Sequence, residues 1–190
     1  MAIKKKFVVF LILVLVYAII VLTNVVLDVK IGFDMDDTLI FSSPAFVKAD
    51  KLAYKFKIKK FSPKYWEMVN GDIENGNIKK VTVSIAILAR AFGIDSVIIT
   101  ARPDINTDKI KKYWEWLTDE IYFTDNSEYK SDVLKKHRFI CFFGDSDSDI
   151  TEAMESDVFA IRIQRSPESS YKQDYKPGKF NEFILPLSAY

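Results

Sequence analysis

From Phe7 to Leu27 apolar residues follow one another with only Thr23 and Asn24 between them. A helix of about 20 such residues is long enough to cross a bilayer. Every face of it would be apolar, which argues against a buried helix of a folded domain. An uncleaved anchor and a cleaved signal peptide both fit residues 1–27. The run is long for a signal, and no small-x-small cleavage site follows it. Lysines at 4–6 favour a cytoplasmic amino end. Either reading exports the remainder, 28–190, to the periplasm or the outer face of the membrane.

Beyond Asp28 the pattern changes to short apolar runs alternating with segments of helical spacing. "VKIGF" (29–33), "DSVIIT" (95–100), "EIYFT" (120–124), "RFICFFG" (138–144) and "VFAIRI" (158–163) read as buried strands. Helical spacing covers 77–93, 106–120, 127–137 and 147–156, and Gly93 is a natural helix stop. The alternation predicts an α/β fold, a Rossmann-like parallel sheet with helices on both faces. Residues 44–76 break the rhythm, being basic, aromatic and longer than a usual connection. They predict a small helical cap-like insertion over the sheet edge. The tail from Ser166 is polar and turn-rich before ending in "FILPL".

Composition narrows the function. Of 190 residues, 27 are Lys or Arg and 26 Asp or Glu, so a net charge of +1 leaves no electrostatic footprint for a nucleic-acid polymer. The single cysteine, Cys141, excludes an internal disulfide and reads as a small core residue.

Ligands in open parallel sheets bind beyond the carboxyl ends of the strands. Asp34 and Asp36 follow the first strand, and Thr100 and Arg102 the second. Lys130 opens a helix after the third, and Asp145 and Asp149 follow the fourth. Crowding like charges at strand ends is costly unless a cation meets them. Carboxylates, a lysine, an arginine and a hydroxyl on one rim suit a phosphoryl group held beside Mg²⁺. Two carboxylates at positions n and n+2 can divide the labour, one as nucleophile and one as proton donor and acceptor.

"FDMDDTL", "VIITAR", the lysine of "YKSD" and "FFGDSDSDI" resemble, in order, the four motifs of the haloacid dehalogenase superfamily. With "GFDMDDTLIFSSPAF", "YWEMVN" and "IRIQRSPESSYK", the chain from about Val29 onward resembles the class B non-specific acid phosphatases. The resemblance implies Asp34 as nucleophile and Mg²⁺ ligand, and Asp36 as general acid/base that lends the metal its carbonyl. It implies Thr38 orienting Asp36, Thr100 and Arg102 holding the phosphoryl group, and Lys130 neutralising charge. Asp145 would complete the metal ligands, with Asp149 supporting them. Phe46, Trp66 and Tyr171 would surround the leaving group of a small phosphomonoester such as an aryl phosphate or nucleotide. The implied function is a Mg²⁺-dependent acid phosphatase working through an aspartyl-phosphate. A selective nucleotidase or phosphotransferase, and a membrane-tethered phosphate-binding module without turnover, are the competing readings. Ala101 replaces the family's usual glycine. The family's subunit-assembly segment has no counterpart between Leu27 and the first strand, so a homo-oligomer is an open expectation.

Plainer roles fit the remaining features. Asp37 reads as a helix- or turn-capping acid, and His137 as a surface or capping residue. "DSDSD" at 145–149 lacks the glycine and glutamate of a calcium loop, where Ile150 and Ser156 stand instead. "KFKIKK" reads as a solvated basic face, and Trp114 and Trp116, two apart on a helix, as packing residues facing different ways.

Overall fold

Helix α1 (Ala2–Val26) passes through a tight turn at Asp28 (φ 50°) straight into strand β1 (Lys30–Phe33). This computed structural model describes residues 2–118 and 120–190. Met1, at the start of the expected leader, and Asp119, within the helix expected over 106–120, lie outside the described residues.

β1 is buried at all four positions and sits inside a six-stranded sheet. The other strands are β4 (Asp95–Thr100), β5 (Ile121–Phe123), β6 (Phe139–Gly144), β7 (Phe159–Ile163) and β8 (Phe183–Leu185). A separate two-residue antiparallel pair joins β2 (Ile40–Phe41) to β3 (Asn77–Ile78). The sheet order is β5-β4-β1-β6-β7-β8 and every pairing is parallel. Side chains alternate across it. Ile31, Phe33 and Ile98 pack with Val83, Ala86, Ile110 and Trp114 on one face. Val97, Ile99 and Phe142 pack with Leu134, Ile150 and Ala153 on the other. Helices α4 (Lys80–Ala91) and α5 (Asp108–Trp114) therefore cover one face, and α6 (Lys130–Lys136) and α7 (Asp147–Met154) the opposite one. Period-2 burial on both faces is what a doubly covered parallel sheet demands.

The insertion consists of α2 (Ser43–Phe56), α3 (Pro63–Asn70) and a 3₁₀ turn at Ile73–Asn75. Prolines in the first turns of α2 and α3 cost nothing, because those amides have no helical partner. Ala49, Ala53, Tyr65 and Val69 form its own small core. Because it leaves the chain after an inner strand, it stands over the carboxyl ends of the sheet and not along a lateral edge.

Four details differ from the pattern-based expectation. Residues 77–78 form β3, and the helix starts only at Lys80. The helix expected over 106–120 closes at Trp114, and that over 127–137 opens with a 3₁₀ turn at Ser127–Tyr129. The sheet gains a sixth strand, β8. Trp114 is buried and Trp116 about half exposed, but Trp116 lies past the end of the helix and its ring centre is 6.2 Å from that of Trp114, so the two rings pack together and do not face different ways.

Candidate active site

The loop leaving β1 is pinned by the Asp34 amide, which donates to the Phe143 carbonyl at 2.8 Å. It reverses at Asp37, whose φ is 53°, and forms an isolated bridge between Asp36 and Ile40. This turn delivers both Asp34 and Asp36 to a cleft of about 560 Å³ beyond the strand ends. Lys130, the first residue of α6 and only 2% exposed, donates to Asp34 Oδ1 at 2.5 Å and to Asp149 Oδ1 at 2.7 Å. Asp149 is oriented by the capping box of α7. Its Oδ2 accepts from the Ser146 amide at 3.1 Å, while its own amide donates to Ser146 Oγ at 3.0 Å. Gly144 makes room for it, since a Cβ at that position would fall 2.3 Å from Asp149 Cβ.

Arg102 is 1% exposed, and its side chain forks Asp36. Nε reaches Oδ2 at 2.8 Å and Nη2 reaches Oδ1 at 2.6 Å, while Nη1 donates to Asn70 Oδ1 at 3.1 Å. Thr100 Oγ1 accepts from the Arg102 amide at 3.3 Å and does not line the cleft. Thr38 is fully buried and reaches Asp145 Oδ1 at 3.5 Å, so its hydroxyl bears on Asp145 and not on Asp36. Ala101 lines the cleft with an ordinary negative φ, so alanine there carries no backbone strain.

Phe46, Trp66 and Tyr171 line the same cleft, joined by Phe61. Phe46 meets Trp66 edge-on at 6.1 Å between ring centres, and Phe61 lies 5.9 Å from Trp66. Arg102 stacks over Phe46 at 5.2 Å, which links the polar floor to the aromatic wall. The expected residues Asp34, Asp36, Phe46, Trp66, Arg102, Lys130, Asp145, Asp149 and Tyr171 thus meet in one cleft, and Thr38 and Thr100 stand behind it.

Sequence reasoning missed the groups that hold the floor together. Arg165, 8% exposed, pairs through Nε with Asp145 Oδ2 and lies 4.9 Å from the Tyr171 ring centre and 4.8 Å from that of Tyr175. Lys79, 1% exposed, donates to the carbonyls of Asp37 (2.6 Å) and Gln164 (2.7 Å), tying the first loop to the loop after β7. Asp37 is not a cap. Its buried carboxylate accepts from Ser169 Oγ at 2.5 Å, while its backbone occupies the turn. Phe61 and Asn70 were also passed over. The only signal for Arg165 and Asn70 was their place inside "IRIQRSPESSYK" and "YWEMVN".

The surroundings split the carboxyls into two classes. Burial pushes Asp34 well above its ordinary value, and neighbouring acids add to that against the pull of Lys130. Burial likewise pushes Asp145 up to about 7, with Asp149 and Asp37 reinforcing it and Arg165 opposing. Asp36 goes the other way, because the Arg102 fork outweighs burial and holds it below the usual carboxylate range. Asp149 is also held low, since Lys130 outweighs its burial. Lys130 in turn is held above the usual range by Asp149 and Asp34 despite burial. Burial lowers Lys79 to about 8.

Oxygens of Asp34, Asp145 and Asp149 all lie within 4.8 Å of one another, and all three residues are buried. Burial, with neighbouring acids adding to it, raises the proton affinity of Asp34 and Asp145. A buried, all-oxygen donor set fits a hard divalent cation.

No protein-family model matches the chain. Among curated proteins it is similar to the class B acid phosphatase of Xenorhabdus bovienii, 30% identical over 173 residues, covering 84% of this chain and 73% of the relative. The class B acid phosphatase of Salmonella typhimurium is 31% identical over 176 residues with the same coverage. Among solved structures, CbbY from Rhodobacter sphaeroides in complex with xylulose-1,5-bisphosphate superposes with a TM-score of 0.60 at 12% identity. That match covers 84% of this chain and 93% of CbbY. A HAD family hydrolase from Salmonella enterica gives 0.54 at 14% identity, over 86% and 69% of the two chains. At such identities the structural matches speak for the haloacid dehalogenase fold alone.

Proposed function

The chain belongs to the class B acid phosphatases, and from that premise we propose that it hydrolyses small phosphomonoesters, aryl phosphates and nucleotides among them, through an aspartyl-phosphate on Asp34. The observation that carries this reading is the pairing of two carboxylates two residues apart with different cations in one cleft, Asp34 with Lys130 and Asp36 with Arg102.

Asp34 Oδ attacks phosphorus, and the P–O bond to the leaving group breaks as the new P–O bond forms. Lys130 lies against Asp34 and neutralises charge gathering on the phosphoryl oxygens. Asp36 gives its proton to the leaving oxygen, then takes one from the water that cleaves the acyl phosphate. In the free protein the Arg102 fork keeps Asp36 ionised, which is the wrong state for the first step. A substrate phosphate competes for the same guanidinium. Once Arg102 turns to it, Asp36 stands among carboxylates with less positive charge nearby and takes up the proton it must deliver. Phe46, Phe61, Trp66 and Tyr171 offer flat apolar contact to an aryl or nucleobase leaving group. Mg²⁺, held by Asp34, Asp145, the Asp36 carbonyl and, in support, Asp149, would keep Asp34 ionised and draw a phosphate oxygen toward it. Residues 7–27 tether or direct the domain to the exterior.

Hydrolysis of p-nitrophenyl phosphate by the full chain in detergent tests this. Turnover should need Mg²⁺, stop with a chelator, and vanish in Asp34→Asn. Turnover that persists in Asp34→Asn would overturn the assignment.

A further inference from the structure

Beyond the lysines at its start, α1 carries few polar side chains, and two of them, Tyr17 and Asn24, are spent on the end of α4. Tyr17 Oη donates to the Ala91 carbonyl at 2.5 Å, and Asn24 Nδ2 donates to the Phe92 carbonyl at 2.8 Å. The Tyr17 ring meets Phe92 edge-on at 5.6 Å. Gly93, with φ at +73°, completes the seat, because a Cβ there would come within 2.8 Å of the Val21 carbonyl oxygen. The last carbonyls of a helix have no partner inside it, and at a wet surface water supplies one. Where water is absent, side chains must do so.

Length sharpens the point. The apolar span Lys5–Val26 has 22 residues. At about 1.5 Å per residue it reaches roughly 33 Å, enough for a hydrocarbon core of about 30 Å. The part before Tyr17 covers only about 18 Å by the same rise, which is too short. Crossing a bilayer therefore requires the docked turns to lie in the apolar layer and to carry the end of α4 to its surface. That surface is suited to it. Ile87, Leu88 and Phe92 are 48%, 59% and 42% exposed. Trp116, 49% exposed, precedes Leu117, whose carbonyl accepts from Arg90. Exposed aliphatics fringed by a tryptophan, a tyrosine and an arginine have the make-up of a membrane–water boundary.

We propose that α1 stays on the mature chain and that Ile87, Leu88, Phe92 and Trp116 sit with it in the surface of a phospholipid bilayer, with the catalytic cleft turned away. The end of α4 lies by the amino ends of the strands, where the Asp95 amide donates to the Val29 carbonyl at 3.0 Å. The cleft opens at the carboxyl ends. This goes beyond the phosphatase reading and does not depend on it.

The test uses the full chain in a Cys141→Ser background, reconstituted into vesicles of phosphatidylcholine and phosphatidylglycerol. An environment-sensitive fluorophore is attached at Leu88→Cys, at Ile87→Cys as a second probe, or at Tyr54→Cys, a 91%-exposed position on the cap. Circular dichroism confirms that each variant is folded. Nitroxide-labelled lipid should abolish most emission at 87 and 88 and leave 54 unchanged. No quenching at 87 and 88, equal quenching at 54, or an intact mass from exporting cells that lacks residues 1–27 would each overturn the proposal.

Discussion

Asp34 and Asp36 stand two positions apart and meet opposite surroundings, one buried among acids and the other clasped by a guanidinium. Replacing Arg102 by Gln removes the charge that holds Asp36 low, so the Asp36 carboxyl should titrate at higher pH than in the parent. Carbon-13 NMR of the aspartate carboxyls in chelated protein reads this directly, and the same variant should show a raised KM for phosphomonoesters. Gly144 acts by having no side chain. Gly144→Ala drives a methyl into Asp149 and should cost about 1–3 kcal/mol of stability in urea unfolding, with a large fall in kcat. The acids and Lys130 were legible because polar residues at the ends of apolar runs have a predictable place on a parallel sheet. Arg165, Lys79 and Asn70 were not. Residues of these types are mostly exposed, and nothing in the local sequence shows that each is buried against a partner more than 30 residues away or across a loop.

The inner strands were readable because each is a short, mostly apolar run between turns, and the sheet followed from their alternation with helices. The β2–β3 pair and β8 escaped for a physical reason. The two-residue β2 and β3 carry too little pattern, and β8 is reached only after a long polar loop held by Arg165, Ser169 and Glu182. Asn77 and Ile78 blended into the helix after them because β3 is solvent-exposed and breaks no apolar rhythm. The insertion was legible as a departure from rhythm, but its place above the cleft emerges only from its attachment to an inner strand. Its aromatic wall should select leaving groups. Trp66→Ala should raise KM for an aryl phosphate roughly tenfold, the equivalent of about 1.4 kcal/mol. KM for a small alkyl phosphate should change little, and steady-state assays with both substrates decide it.

Across the whole molecule, the cost of gathering three buried carboxylates is set against the cation they can hold. Asp145 has a folded value of about 7 against an ordinary 3.8, so the native state binds the extra proton between these limits and stability falls as pH rises through them. Asp36 and Asp149, held low, act below that window with the opposite sign. Chelated protein should therefore lose Tm between about pH 5 and about pH 7, and the Tm gained on adding Mg²⁺ should be larger at the higher pH. Differential scanning calorimetry with and without chelator measures both. Covalent chemistry at Asp34 is the step on which the phosphatase activity rests. Acid-quenching the full chain during turnover and mapping the adduct by peptide mass spectrometry tests it most directly. One phosphoryl group on the peptide carrying Asp34, absent in Asp34→Asn, is the predicted result; turnover with no adduct, or with the adduct on another residue, would contradict it.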